Sequence, residues 1–486
     1  MKTLPYRSKI ANLSELKATL LNNEKSQLGV LHFLSAFKYE ALCRSFEKLK
    51  SSGISFSRTF LSLCLLRFTN LTVYGQYRSG LNVISEFQKD VFYRLMNNSF
   101  VDWRKLVLNF ARKFIKLTVS TPDSDEIKCF ILDDSGIEKT GKTIEFIGKI
   151  FDHVFNRYVL GFRLMVLGYF DGKSFIGVDF SLHREKGKNA KKPYGMNPKD
   201  LKTRFQKTRI NSSPGATRVK ELDMTKIESG IKMLQRAAKK GFKASYVLFD
   251  SWFFSDKLVK AIREINDGSM HVLGMCKLGK RTFTYLRKDY SPKELLKKLE
   301  KKKKRSRKLR AHYIEAVVIH HGVTMKLFYS RYVNCKDWKL IVSTDLRLNY
   351  PKAIEIYQIR WTIEVFFKET KQYLNLGKCQ SNDFDAQIAD TSLAMITYML
   401  LTMQKRMTNY ETIGGAFREN RQEMLELTLW ERIWGLFQEI LAELTELFEI
   451  DMDEIIQKLT RDDQTSEKYL AILRGLEINN SFKKSA

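Results

Sequence analysis

The stretch Ile127–Gly136, IKCFILDDSG, marks a change of pattern in this 486-residue chain. Before it, from about Leu13 to Val119, apolar residues recur at intervals of three and four, which is typical of amphipathic helices. The stretch itself is a short apolar run that ends in two carboxylates and a glycine. Such a run predicts a buried strand that emerges at a functional site. We therefore expect helices before this strand and an α/β region after it.

Further strand and helix patterns follow. Two strand-like runs, Arg163–Tyr169 and Ser174–Ser181, are separated by the turn sequence FDGK, which predicts a three-strand meander with the first strand. A helical pattern from Met224 to Lys240 leads to the apolar run ASYVLFD, which ends at Asp250. The order strand, strand, strand, helix, strand, helix predicts an α/β fold with a ribonuclease-H-like catalytic core, in which carboxylates at neighbouring strand ends converge.

These patterns divide the chain into three regions. Residues 1–122 are predicted to be a helical N-terminal domain that either binds DNA or serves only for packing. Residues 123–405 are the predicted catalytic domain, with a β-rich insertion at about 268–345. Residues 406–486 are predicted to be a helical C-terminal region. Its acidic, amphipathic part from Glu423 to Glu454 suits either a dimer partner or packing within the chain.

The charge of the chain favours a polyanionic partner. Lys and Arg number 84 against 54 Asp and Glu, which gives a formal charge of +30. Nucleic acid is the leading partner, with an anionic membrane surface or a ribosome as alternatives. The basic stretch Arg184–Lys220 predicts an exposed loop that is either simply solvated or clamps a DNA backbone. The lysine-rich stretch Lys297–Arg310 is either a solvated tip or a phosphate contact.

Several classes of protein are disfavoured by what the sequence lacks. No secretion signal or phosphate-binding GxxxxGK[ST] loop is present, so neither export nor a nucleotide cofactor is expected. The longest apolar run, Leu393–Met403, is too short to span a bilayer and predicts a buried helix, so no membrane partner is expected. Neither His320 nor His321 has a metal-ligand partner nearby in sequence. Without zinc-ligand spacing, the cysteines are interpreted as reduced core thiols: Cys43, Cys64, Cys129, Cys276, Cys335 and Cys379.

The segment YQIRWTIEVFFKETK carries the most specific pattern. Tyr357, Arg360, Glu364 and Lys371 lie at offsets 0, 3, 7 and 14, which fall along one stripe of a helix. One face would thus present a phenol, a guanidinium, a carboxylate and an ammonium, which suits a metal ion together with phosphate oxygens. By spacing alone, an ordinary amphipathic helix with an Arg360–Glu364 pair remains the alternative.

This segment resembles the Tyr-x2-Arg-x3-Glu-x6-Lys signature of DDE-class insertion-sequence transposases that move by cut and paste. The resemblance extends over roughly Glu126 to Gly377 and includes the strand ends ILDDSG and VLFDSWF. It implies that Asp133, Asp250 and Glu364 are the catalytic, metal-binding triad. Asp134 is the rival for the first position, because it lies one residue away and only the Asp-x-Ser pattern selects Asp133.

The resemblance also implies roles for other residues. Tyr357, Arg360 and Lys371 would bind DNA phosphates, and Trp338 in WKLIVST would stack on a flipped base, unless it is a buried core tryptophan. The implied cofactor is Mg2+, for which Mn2+ can substitute, because a carboxylate triad offers the oxygen ligands that such cations take. Two ions would then serve an in-line phosphoryl transfer.

The implied function is excision of the element that encodes the protein, through hairpin ends, and strand transfer into target DNA. The implied partners are double-stranded DNA, as terminal inverted repeats and target, and a second copy of the chain bound to that DNA. A cytoplasmic, nucleoid-associated protein is expected. The alternatives are a catalytically inactive or recruited DNA-binding protein and a metal-dependent nuclease without strand transfer.

Overall fold

The computed structural model describes residues 29–50, 52–69, 71–78, 88–118, 126–153, 155–408, 410–425 and 440. The chain divides into two compact units. One comprises Met1–His32 together with Asn420–Ala486, and the other comprises Phe33–Glu419. All described strands lie in the second unit. Helices predicted before residue 29 and most of the acidic C-terminal segment lie outside the described residues.

The described helices and strands are defined here by their bounds. The helices are α1 (Gly29–Phe37), α2 (Tyr39–Glu47), α3 (Phe56–Thr69), α4 (Val73–Arg78), α5 (Lys89–Met96), α6 (Trp103–Thr118), α7 (Pro198–Lys202), α8 (Pro214–Glu221), α9 (Lys226–Lys239), α10 (Asp256–Glu264), α11 (Pro292–Leu299), α12 (Tyr350–Gln358), α13 (Trp361–Tyr373) and α14 (Phe384–Met407). The strands are β1 (Cys129–Glu138), β2 (Gly148–Asp152), β3 (Arg157–Phe170), β4 (Phe175–His183), β5 (Tyr246–Phe249), β6 (His271–Cys276), β7 (Phe283–Tyr285), β8 (Lys288–Tyr290), β9 (Lys304–Ser306), β10 (Ala311–His320), β11 (Val323–Tyr332) and β12 (Lys339–Ser343).

The secondary-structure elements described before β1 are all helices, as the apolar spacing predicts. In α6, Leu106, Phe110 and Phe114 recur every four residues and are fully buried. The Phe110 ring packs against Phe37 of α1 and Phe60 of α3, with centroids 5.7 and 5.6 Å away. Residue spacing on the helix therefore sets the face on which this region packs.

The predicted meander is confirmed. β1 pairs antiparallel with β3, and β3 pairs antiparallel with β4 across the predicted FDGK turn. The Asp171 side chain accepts the backbone N–H groups of Lys173 and Ser174, at 3.0 and 2.7 Å, while Gly172 takes the positive φ that the turn requires. The short strand β2, which pairs with the start of β3, was not predicted.

Two parallel pairings extend this sheet. β5 pairs parallel with β1, and β6 pairs parallel with β5, so the strand order begins β4-β3-β1-β5-β6. The sheet then continues through the antiparallel strands β12, β11 and β10. The predicted α/β class is confirmed. The strand-rich segment at 268–345 contains β6, which pairs directly with the strand that ends before Asp250.

Helix α14 lies inside the second unit. It packs against α3, α6 and β4, and its residues from Leu393 to Met403 are buried. The prediction of a buried helix at this apolar run is therefore confirmed. Within the described part of the chain, no helix combines the length and the apolar character needed to cross a membrane.

The prediction that Arg184–Lys220 is an exposed loop is only partly right. Residues 186–192 are exposed, but the remainder contains α7 and most of α8 and includes buried cations. Arg209 contacts Glu145 at 2.5 Å and Asp385 at 3.0 Å. Lys207 is 2.8 Å from Asp385. The sequence did not indicate these ion pairs, because the acidic partners of Lys207 and Arg209 lie far away along the chain.

The interpretation of all cysteines as core thiols needs a similar correction. Cys43, Cys64, Cys129 and Cys276 are free and buried, but Cys335 is exposed and Cys379 is partly exposed. Cys335 lies in the turn after β11, where its N–H donates to the carbonyl of Tyr332. A turn of this kind lies at the surface, which the residue type alone does not reveal.

Candidate active site

Two aspartates lie at the same level of neighbouring parallel strands. The sequence predicted that β1 ends at its carboxylates, but β1 continues to Glu138, so Asp133 lies within its strand, whereas Asp250 directly follows β5. Leu132 of β1 and Phe249 of β5 are register partners, and both are fully buried. Asp133 and Asp250 are the next residue in each strand direction, so parallel pairing brings them to the same level of the sheet. Asp250 also accepts the Trp252 N–H at 2.9 Å, which fixes its carboxylate at the start of the following turn.

The neighbouring residues Asp133 and Asp134 have different surroundings, because consecutive side chains of a strand point to opposite faces. The Asp133 carboxylate lies 3.1 Å from Nη1 of Arg360. The Asp134 carboxylate lies 3.0 Å from Nζ of Lys226 and 3.3 Å from Nε of Arg163. Asp134 is thus engaged by two cations on its own face, whereas Asp133 faces the segment that carries Glu364.

The Asp133 carboxyl group has a strongly perturbed pKa. Burial raises its pKa to about 7, and the charges of Asp250 and Asp134 add to the increase. The backbone N–H of Asp134, which donates to Asp133 at 2.8 Å, and the guanidinium of Arg360 oppose the shift without cancelling it. A buried carboxyl group with a raised pKa beside a second carboxylate is typical of functional sites, and a bound cation would favour its charged form.

The signature segment is not one continuous helix. α12 and α13 meet at Ile359 and Arg360, where the N–H groups of Thr362 and Ile363 bond three residues back, at 3.0 and 3.2 Å. This local tightening is a 3₁₀-type joint. The predicted single helical stripe is therefore wrong in detail.

The four signature side chains nevertheless reach the same edge of the sheet. The Tyr357 hydroxyl donates to the Phe249 carbonyl at 3.3 Å, and Lys371 donates to Ser135 Oγ at 2.8 Å and to the Gly136 carbonyl at 2.9 Å. Tyr357 and Lys371 thereby contact the ends of β5 and β1. Burial raises the pKa of Tyr357, which keeps its hydroxyl a hydrogen-bond donor.

Arg360 links the remaining acidic residues. One of its nitrogens contacts Asp133, and the other contacts Glu364 four residues along the chain. In the described part of the chain, the carboxylates of Asp133, Asp250 and Glu364 do not all lie within 4.8 Å of one another. The guanidinium therefore stands between two of the three carboxylates that the sequence analysis selected. Their oxygen donors match the ligand type of a hard divalent cation.

An open groove runs beside Glu364. It has a volume of about 550 Å³ and is lined by Trp361, Glu364 and Lys368 of α13 on one side and by Thr412 and Arg418 on the other. The Trp361 side chain is 63% exposed. The groove therefore offers an apolar ring and two cations next to a carboxylate, a combination suited to a nucleic-acid strand.

The other predicted DNA contact, Trp338, directly precedes β12. It is partly exposed, and the Arg331 guanidinium lies over its ring at 5.0 Å. Sequence analysis assigned no role to Trp252, which is half-exposed two residues after Asp250, with the Lys226 ammonium 4.3 Å from its ring. The run SWFFS directly after a strand-end aspartate was the available signal.

Two family models match overlapping parts of the chain. The family model described as "Transposase DDE domain" matches residues 217–400, and the model described as "DDE superfamily endonuclease" matches residues 80–267. The first range includes Asp250 and Glu364, and the second includes Asp133 and Asp250. No curated protein matches the chain. The two family matches support a DDE-superfamily transposase and indicate an enzyme that cleaves nucleic acid.

Proposed function

We propose that the chain is a DNA transposase that excises its insertion sequence and joins it to target DNA, with Asp133, Asp250 and Glu364 as metal ligands. The observation that carries the proposal is the level placement of Asp133 and Asp250 on adjacent parallel strands, opposite the segment that bears Glu364. Carboxylates from two neighbouring strands and one helix are the donor set that a two-metal phosphoryl transfer needs.

The proposal includes a ribonuclease-H-like core. Its support is the strand order β4-β3-β1-β5-β6, in which an antiparallel meander is extended by two parallel strands. The predicted β-insertion at about 268–345 is kept in the proposal except for β6, which pairs in parallel with β5 and is assigned to the core. The helical regions before and after this core would bind DNA and pair two copies of the chain. The protein would act on DNA of the nucleoid, in the cytoplasm.

Mg2+ is the proposed cofactor, and the chemistry of the donors supports it. Asp133, Asp250 and Glu364 offer only oxygen atoms, and burial, with a smaller contribution from Asp250 and Asp134, raises the pKa of Asp133. When bound, a pair of such ions activates a water or 3′-hydroxyl and stabilises the leaving 3′-oxygen. Arg360 contacts both Asp133 and Glu364. If the carboxylates held metal ions, the planar guanidinium of Arg360 would be free to hold a DNA phosphate.

The phosphate-holding role extends to two further side chains. Tyr357 and Lys371 contact the strand ends that precede or include the two aspartates. A backbone phosphate at this edge would meet one phenol, one guanidinium and one ammonium within a single surface. Their purpose would be to hold the scissile phosphate in line, because positioning and charge stabilisation supply most of the rate in this class of reaction.

Cleavage of the natural DNA ends tests the proposal. Purified full-length protein and Mg2+ are incubated with linear DNA that bears the inverted repeats flanking its own gene. We expect nicks at the repeat ends, followed by hairpins and strand-transfer products. Glu364→Gln is expected to bind the same DNA and to cut it at least about a thousandfold more slowly. Glu355→Gln is the control, because that carboxylate lies on α12 and pairs only with Lys352 in an exposed position.

The same assay separates the alternatives. A nuclease would cut without strand transfer and without preference for the terminal repeats. A recruited DNA-binding protein would bind without cutting in any divalent metal. Cleavage that persists in Glu364→Gln would show that the carboxylate is not a ligand in the reaction.

A second prediction concerns Trp338. If its ring stacks on a flipped base, Trp338→Ala should leave the first nick intact and reduce hairpin formation about tenfold, since one stacked base contributes roughly 1–3 kcal/mol. Trp338→Phe should restore most of the hairpin yield, because it keeps an aromatic face. Gel analysis of nicked and hairpin products over time measures both steps. Equal hairpin yield from the Ala variant would assign Trp338 a packing role with Arg331.

A further inference from the structure

Three side chains with metal-ligating atoms converge outside the proposed catalytic site. They are Asp256, at the start of α10, and His320 and His321, at the end of β10. Nε2 of His320 lies 2.7 Å from Asp256 Oδ1, and Nε2 of His321 lies 3.2 Å from Asp256 Oδ2. The residues are 64 positions apart in the chain, which explains why sequence analysis found no partner for the histidines.

The contacts of His320 favour a proton or a metal ion between its ring and the Asp256 carboxylate. The side chain is buried, and its Nδ1 lies 2.7 Å from the carbonyl oxygen of Thr282, to which it must donate. Its other nitrogen then faces the Asp256 carboxylate. A bare lone pair facing a carboxylate oxygen is repulsive, so either a proton or a metal ion belongs between them. A histidine that donates Nδ1–H to a backbone carbonyl while its Nε2 is directed at a ligand is the usual arrangement at metal sites.

His321 occupies a position that few residues adopt. It forms a two-residue turn with Gly322 between β10 and β11, and both residues have positive φ, 46° and 84°. Hairpin turns of this kind most often carry Asn, Asp or Gly at the first position, and here that position is occupied by a residue with an imidazole ring. The turn directs the His321 ring at the same carboxylate that His320 contacts.

We propose that Asp256, His320 and His321 form a site for a divalent transition-metal ion, with Zn2+ as the best match. Two imidazoles and one carboxylate are a donor set that zinc accepts. With bonds of about 2.0–2.1 Å, tetrahedral ligand atoms lie roughly 3.3 Å apart. The separation of 3.2 Å between His321 Nε2 and Asp256 Oδ2 matches this value. The separation of 2.7 Å between His320 Nε2 and Asp256 Oδ1 is shorter, so these two atoms would have to move slightly apart when the ion binds. Nη1 of Arg281 lies 3.9 Å from Oδ1 of Asp256, and its positive charge would repel the ion. This separation is longer than those between the two histidines and Asp256.

The position of the site suggests what the ion does. Asp256 follows the proposed metal ligand Asp250 by six residues, and the two histidines form the tip of the β10–β11 hairpin. The His320 ring stacks on Phe254, with centroids 5.8 Å apart, within the same connecting segment. A bound ion would therefore attach the hairpin to the segment that follows Asp250. This site is separate from the proposed carboxylate triad, and its existence does not depend on transposase activity.

Metal titration of the full-length protein tests the proposal. The protein is freed of metal with a chelator and titrated with Zn2+ by calorimetry, with Co2+ as a spectroscopic probe. We expect one saturable Zn2+ site, a Co2+ visible spectrum typical of tetrahedral nitrogen and oxygen ligands, and a Tm that rises with Zn2+. His321→Asn removes the imidazole while keeping a residue that the turn favours, so it should fold well and bind Zn2+ at least tenfold more weakly.

Three further variants define the outcome. Asp256→Asn should also weaken Zn2+ binding at least tenfold, whereas His312→Asn, elsewhere on β10, should not change it. The double variant Asp133→Asn with Glu364→Gln should retain the site in full, which keeps this test independent of DNA cleavage. Zn2+ binding that survives in His321→Asn, or that disappears in the double variant, would overturn the proposal. The absence of a zinc-dependent change in the unaltered protein would overturn it as well.

Discussion

Asp133→Asn is expected to abolish DNA cleavage, whereas Asp134→Asn is expected to retain metal-dependent cleavage. The two residues are neighbours in β1 and differ in what their carboxylates face. Asp133 lies beside Asp250 and Arg360, with a pKa raised by burial to about 7. Asp134 is paired with Lys226 and Arg163 on the opposite face, so its charge is already matched.

The expected loss in Asp133→Asn is at least about a thousandfold in cleavage rate, which corresponds to roughly 4 kcal/mol of transition-state stabilisation. Asparagine keeps the size of the side chain but removes the charge that a divalent cation requires. Asp134→Asn instead leaves Lys226 and Arg163 without their partner. Its expected effect is a lower Tm and a cleavage rate within about tenfold of the unaltered protein.

Single-turnover cleavage of DNA with the terminal repeats measures both variants, alongside a DNA-binding titration that shows whether each protein still engages its substrate. A cleavage defect in Asp134→Asn as deep as that in Asp133→Asn, at full DNA occupancy, would exchange the roles of the two residues. In that case, the placement of Asp133 and Asp250 at the same level of neighbouring strands would not identify the metal-binding pair.

The sequence was informative where the pattern is local. The run ending at Asp133 predicted a strand because its residues are apolar without interruption, and Thr225 with Glu228 forms a capping box at the start of α9, close to the predicted helix boundary. The turn at Asp171 was predicted from its own residues. In each case the stabilising contacts lie within a few positions of one another, so the local sequence is enough.

Long-range pairing accounts for what was missed. The paired cations Lys207, which is partly exposed, and Arg209, whose side chain is buried, were predicted to be exposed because Glu145 and Asp385 are distant in sequence. The cluster around Asp256 was missed for the same reason. The joint between α12 and α13 was missed because a 3.6-residue periodicity continues through it with little change. Such features depend on tertiary contacts, which residue spacing does not encode.

Asp179→Asn is expected to destabilise the protein by about 3–5 kcal/mol, because it breaks a buried ion-pair network. Asp179 of β4 is fully buried and lies 3.0 Å from Arg104 of α6 and 2.7 Å from Arg236 of α9. Arg104 also contacts Glu221 at 2.7 Å. The substitution leaves the Glu221 carboxylate to offset the charges of Arg104, Arg218 and Arg236. These contacts connect the helical region before β1 to the sheet.

The pH dependence of this effect has a defined sign. Burial alone would raise the pKa of Asp179, but the charges of Arg104, Arg236 and Arg218 prevail and lower it to about 2. A carboxylate with a lowered folded-state pKa contributes stability that is fully present above its unfolded pKa, near 4, and is lost as the pH falls toward 2. The difference in unfolding free energy between the unaltered protein and Asp179→Asn should therefore shrink by roughly 2 kcal/mol between pH 6 and pH 2.

Urea unfolding at a series of pH values measures this difference. Asp223→Asn is the matched control, because Asp223 also pairs with an arginine but its side chain is 39% exposed. Its expected cost is below about 1 kcal/mol. If Asp179→Asn cost no more than this control at pH 6, the ion pairs between α6, α9 and β4 would not stabilise the fold. Other contacts between α6 and β4 would then have to hold the helical region against the sheet.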